Sequence, residues 1–261
     1  MPWTLAHPAA VLPFRRFSGA GRLSFGALVI GSMSPDFVYY IGRFDLGNFT
    51  HSPLGVLVTC LPAGLLVLAL ALWLRDPIAQ ILPQPHRDAL LATGPARPHF
   101  SLRPLSLAAA SLWLGAITHV LWDSFTHEGR YFVSHIELLR APIFSALGRE
   151  FRVFNVIQHA STALGVTLLV AAYYRHARRF GSLTTLTAQD LRRYGVLALV
   201  ALVAMICALP LALLDATEAA DSLNVSKLIV RQVVYATAAF FVLISCAALW
   251  RAMNRPRWPA K

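Results

Sequence analysis

His119, Asp123 and His127 stand at four-residue intervals in a stretch otherwise dominated by apolar side chains. On an α-helix a step of four advances about 400°, so each side chain lies roughly 40° from the last and all three share one face. Two imidazoles and a carboxylate form a donor set suited to zinc and similar divalent ions. His7, Asp36, His51 and His159 are further candidates for the same centre, with Asp36 as a bridging ligand or a general base. Each has a plainer reading as well. His119 with Asp123 makes a hydrogen-bonded pair that joins neighbouring helices, and His159 beside Ser161 and Thr162 is interhelical packing. Ser34-Pro35-Asp36 is a helix start, and Ser52-Pro53 after His51 is another. His86, His99 and His176 fall in polar loops, where a histidine needs no partner.

The elements that must position these groups follow from composition. Of 261 residues 57% are hydrophobic and 13% charged, and the mean hydropathy is +0.58. Soluble domains carry about 25% charged residues, so this chain has too little polar surface to face water on every side. The fold class expected is all-α: a polytopic transmembrane helix bundle in one membrane domain, residues 1–174 bearing the motifs and 175–261 supplying scaffold helices. A crossing helix needs about 20 apolar residues. Pro53 to Leu74, Ser106 to Phe125, Val156 to Tyr174, Gly195 to Leu214 and Ile229 to Trp250 qualify. Leu23 to Ile41 is interrupted by Ser34-Pro35-Asp36 and reads as two short helices, broken at Ser34, that either cross or re-enter.

The net charge of +11 does not indicate a nucleic-acid partner, because the basic residues sit between apolar runs rather than along one stripe. The loop from Arg75 to Arg103 has four arginines and two aspartates, and that from Arg175 to Arg193 five arginines and one aspartate. Arg251, Arg255, Arg257 and Lys261 follow the last span, whereas the turn from Asp215 to Ser226 holds Asp215, Glu218 and Asp221. Basic loops mark the cytoplasmic side, which places the C-terminus inside and His51, His127 and His159 on the outer side. Arg15, Arg16 and Arg22 place the N-terminus inside, so His7 joins the others only if Leu23 to Ile41 re-enters. Cys60, Cys207 and Cys246 lie singly in apolar runs and suggest neither disulfides nor a zinc knuckle.

The motifs HPAA from His7, GSMSPDF over Gly31 to Phe37, THSPLG over Thr50 to Gly55, H-x3-D-x2-TH over His119 to His127 and QHAST from Gln158 resemble a bacterial integral-membrane family of unknown function, domain of unknown function 4184. More distantly, the order His7, Asp36, His51, His119, Asp123, His127 resembles the ligand order of the all-helical zinc phospholipase C and P1 nuclease superfamily. Similar motifs occur in inner-membrane proteins described as metal-dependent hydrolases. That resemblance implies zinc activating water against a phosphodiester. The likeness departs in two places. No His-x3-Glu pair follows His127, since His135 and Glu137 are two apart, and Trp3 follows Met1-Pro2 instead of beginning the chain. One or two ions are therefore implied rather than three.

Three functions fit these residues: a membrane-embedded metal-dependent hydrolase acting on a lipid or lipid-linked phosphoester, a transporter or proton relay, and a non-catalytic scaffold. They part on bound metal and on how deep the acidic groups lie. Substrate and oligomeric state are not legible here.

Overall fold

The computed structural model describes residues 3–19, 22–93, 102–146, 149–181, 186–217 and 224–254; Arg97, His99, Glu218, Asp221, Arg255, Arg257 and Lys261 lie outside them. Five helices are long and apolar enough to cross a membrane, and each contains one of the segments expected from sequence. They are α2 (Pro53–Ile81), α3 (Leu102–Thr126), α4 (Val153–Ala177), α5 (Ala188–Ala216) and α6 (Val225–Met253). The protein is thus an all-α multi-pass membrane protein. Contacts divide it into two compact units, one of Met1–Val38, Phe44–Ala69 and His99–Tyr174, the other of Tyr39–Arg43, Leu70–Pro98 and Arg175–Lys261.

The first unit begins with a long 3₁₀ helix, Thr4–Phe17, carrying Pro8 and Pro13. A short α1, Phe25–Gly31, is capped by the Ser24 hydroxyl, which accepts from the Ala27 amide. After a 3₁₀ turn over Ser34–Asp36 the chain resumes as the helix Phe37–Tyr40. The segment is therefore broken at Ser34, as its sequence predicts, but the capping differs. Met33 is the N-cap of the turn, and the Ser34 hydroxyl instead donates back to the Gly31 carbonyl at 2.9 Å, closing the helix before it. With seven residues, α1 is about 10 Å long and cannot cross a hydrocarbon core of about 30 Å. It lies instead beside the middle of α3. The Ser24 amide donates to the Ser111 hydroxyl at 2.9 Å, and Ala27 and Ile30 pack on Leu112. Two glycines permit the approach: a Cβ at Gly31 would overlap the Leu112 carbonyl, and one at Gly115 would overlap the Leu28 carbonyl.

Helix α2 opens with Ser52 as N-cap, its hydroxyl accepting from the Gly55 amide at 3.0 Å, and Pro53 in the first turn. A π-helical stretch, Val56–Cys60, follows immediately. Beyond α3 come two helical turns, Tyr131–His135 and Glu137–Arg140, and then an antiparallel hairpin of β1 (Pro142–Ala146) and β2 (Arg149–Arg152), bulged between Pro142 and Phe144.

In the second unit α5 and α6 form a helical hairpin. Ala204, Ala208, Ala212 and Ala216, four residues apart, are all buried, and such a small-residue stripe lets backbones approach closely within lipid. Helix α5 starts in a capping box, Thr187 with Asp190. The Asp190 carboxylate also accepts from the Gln84 amide at 3.0 Å. Here His86 Nε2 lies 2.7 Å from the Tyr194 hydroxyl, and His176 Nε2 3.1 Å from the Ala89 carbonyl.

Candidate metal centre

Three short chain segments and one long helix supply the polar cluster in the first unit. His119 and Asp123 project from α3 and are buried, as are His7 on the N-terminal 3₁₀ helix, Asp36 in the 3₁₀ turn and His51 just before α2. His51 Nδ1 lies 2.7 Å from the Gly47 carbonyl oxygen, and His119 Nδ1 lies 2.7 Å from that of Ser32. A carbonyl oxygen only accepts, so both Nδ1 atoms carry the hydrogen and donate. Each imidazole then turns its Nε2 inward, and in the neutral form that a metal binds it would offer a lone pair there. Those two nitrogens are 3.2 Å apart.

Two carboxylate oxygens complete the group. Asp36 Oδ1 lies 3.5 Å from His51 Nε2 and 3.6 Å from His119 Nε2. Asp123 Oδ2 lies 3.4 Å from each of the same two nitrogens. Charge-assisted N–H···O bonds run about 2.7–2.9 Å, so these contacts are long for direct hydrogen bonds. They match another geometry closely. Ligands about 2.0–2.2 Å from a zinc-sized ion at tetrahedral angles stand about 3.3–3.6 Å from one another, which is the spacing of each carboxylate oxygen from the two nitrogens. The buried His/Asp groups could hold a metal ion.

The remaining polar atoms continue the site. Asp36 turns its second oxygen, Oδ2, to the Thr4 hydroxyl, which donates at 2.6 Å. Asp123 turns its other oxygen, Oδ1, toward His7 Nε2 at 3.5 Å and His127 Nδ1 at 3.4 Å. The His7 ring stacks on His119 with centroids 3.6 Å apart. His7 Nε2, Asp36 Oδ1 and Asp123 Oδ1 are buried without a hydrogen-bond partner, a state expensive enough to require explanation. His7, His119 and Asp123 form a second group whose ligand atoms lie within 4.8 Å of one another. Burial pushes the His7 imidazole down to about 3, helped by the neighbouring His119, so it is neutral and able to ligate. Burial raises the Asp36 carboxyl, but the His119 and His51 imidazoles outweigh it and hold the group below its usual value.

His127 is the solvent-facing member, its side chain 20% exposed, and its Nε2 lies 3.2 Å from the Gln158 side-chain nitrogen. His159 does not reach the cluster: it is exposed on α4, and its buried neighbour Gln158 occupies that place. Sequence reasoning passed over Gln158 because an amide is neither ligand nor base. Thr4, Gly47 and Ser32 were also missed, the last two because they act through backbone oxygens that carry no residue signal.

The chain belongs to the family described as Domain of unknown function (DUF4184), matched over residues 1–249. No curated protein and no solved structure matches it.

Proposed function

We propose that this protein is a membrane-embedded, metal-dependent hydrolase of the bacterial cytoplasmic membrane, with its C-terminus cytoplasmic, acting on a lipid or lipid-linked phosphoester. The observation that carries the reading is the convergence of Asp36 Oδ1 and Asp123 Oδ2 on His51 Nε2 and His119 Nε2, each oxygen 3.4–3.6 Å from both nitrogens and the nitrogens 3.2 Å apart. Zinc is the ion that such a nitrogen and oxygen set favours. When bound, it would polarise a phosphoryl oxygen and lower the pKa of water.

The protein's own residues divide the rest of the work. Gly47 and Ser32 hold two imidazoles by Nδ1 and thereby aim Nε2 at the centre, the usual second partner of a ligating histidine. Thr4 holds Asp36 in register, which suits Asp36 to ligation more than to proton transfer. Asp123, with oxygens turned to both groups, ties His7 and His127 to the first four atoms. His127 faces solvent beside Asp123 and is placed to take or give a proton. Arg130, whose guanidinium reaches the Gly47 carbonyl at 3.5 Å, puts a cation near His51 where an anionic headgroup would approach. A pure scaffold has no need of three buried polar atoms left without a hydrogen bond.

Elemental analysis of the detergent-purified chain tests this. The wild type should carry zinc at about one equivalent or more, and an Asp123→Ala, His51→Ala variant should lose it. Hydrolysis of bis(p-nitrophenyl) phosphate should fall at least about a hundredfold in the same variant. Equal metal content in the two proteins would sink the reading.

A further inference from the structure

The segment that follows α3 has apolar side chains on the side turned away from the protein. Helix α3 has 25 residues and is about 37 Å long, enough by itself to cross the hydrocarbon core. Residues 131–152 therefore begin at a membrane boundary. Their inner side is built conventionally: Val133 and Leu139 are buried with Phe154 against Phe125, Phe132, Val153 and Ile157. Their outer side leaves Leu138 70%, Tyr131 65%, Ile143 53% and Phe144 49% exposed. Water is a poor solvent for such a patch. A two-stranded hairpin is also marginal in water without a third element to cover it, and in this one the bulged Ile143 and Phe144, which stacks on Phe151, are both open.

We propose that residues 131–146 lie in the plane of the bilayer interface as a strap beside the mouth of the His/Asp centre. Tyr131, Leu138, Ile143 and Phe144 enter the boundary between headgroups and acyl chains. Arg140, exposed two residues after Leu138, and Arg152, 40% exposed beside Glu150, meet lipid phosphates. The bilayer is the occupant that fits, since the spanning helices already hold this segment at its surface. An apolar body fringed by arginines is also the composition of interfacial anchors. This placement does not depend on the metal.

Fluorescence quenching tests it on the full chain in phosphatidylcholine nanodiscs. Cys207 and Cys246 are changed to serine and the buried Cys60 is kept. An environment-sensitive NBD label is then placed by Leu138→Cys or, separately, by Ile143→Cys. Thr93→Cys, exposed outside every span, reports on water. Nitroxide at a shallow acyl position should lower emission at 138 and 143 at least about twofold, while aqueous iodide quenches only position 93. Emission at 138 and 143 that ignores the nitroxide, whether or not iodide reaches it, overturns the proposal.

Discussion

At the scale of single residues, the imidazoles of His51, His119 and His127 each meet a partner outside the cluster, and those partners carry testable weight. Gln158 is the side chain within reach of His127 Nε2, so Gln158→Ala should weaken zinc affinity about 10–100-fold, the usual cost of losing an outer partner. His159→Ala, one position along and exposed, should leave affinity unchanged; isothermal titration of the two variants distinguishes the positions. His7 and Asp36 also make the metal-free chain sensitive to acid. His7 is held near 3 when folded and rises to its ordinary 6.5 when unfolded, so the unfolded chain binds the extra proton between those values. Asp36, held below 3.8 in the fold, works in the same direction at lower pH. The stability that these two groups contribute is then full above about pH 6.5 and declines as pH falls toward 3. Melting of the metal-free protein in detergent should follow this course, and His7→Asn should flatten its upper part.

At the scale of elements, what matters is that α1 lies within backbone distance of α3. Ser32 terminates α1, and its carbonyl holds His119 only because Gly31 and Gly115 have no side chain between the helices. Gly31→Leu should push the pair apart, destabilise the fold by about 1–3 kcal/mol through overpacking and remove Ser32 from His119. Thermal melting and metal content should therefore fall together. Loss of stability with zinc retained would show that the crossing is structural alone. The π-helical stretch that begins five residues after His51 belongs to the same level, since such insertions cluster at functional sites.

At the scale of the whole molecule, the chain combines a polar centre in one compact unit with helices of the other whose exposed residues are mainly apolar. Leu199, Leu202, Ile206 and Leu209 on α5 are all exposed, the expected state for side chains that meet lipid. Ile206→Lys should oppose insertion by about 3 kcal/mol. It should reduce the membrane-integrated fraction after carbonate extraction, whereas Ile206→Leu should not.

The sequence by itself determined the medium and the elements. Long apolar runs with few charges admit only lipid-facing helices, and that constraint is local enough to read one segment at a time. It also marked His119, Asp123 and His127 as sharing a face, because helical spacing is periodic. Three things were left to the tertiary structure. One is His7, whose place depends on whether α1 crosses; the answer came from seven residues packing sideways on α3, a contact spanning more than eighty positions of sequence. Another is the choice between Gln158 and His159, adjacent residues about 100° apart on a helix, of which only burial distinguishes the one that turns inward. The last is the orientation of His51 and His119 by the carbonyls of Gly47 and Ser32. Every residue has such an oxygen, so only the path of the backbone can say which of them meets an imidazole.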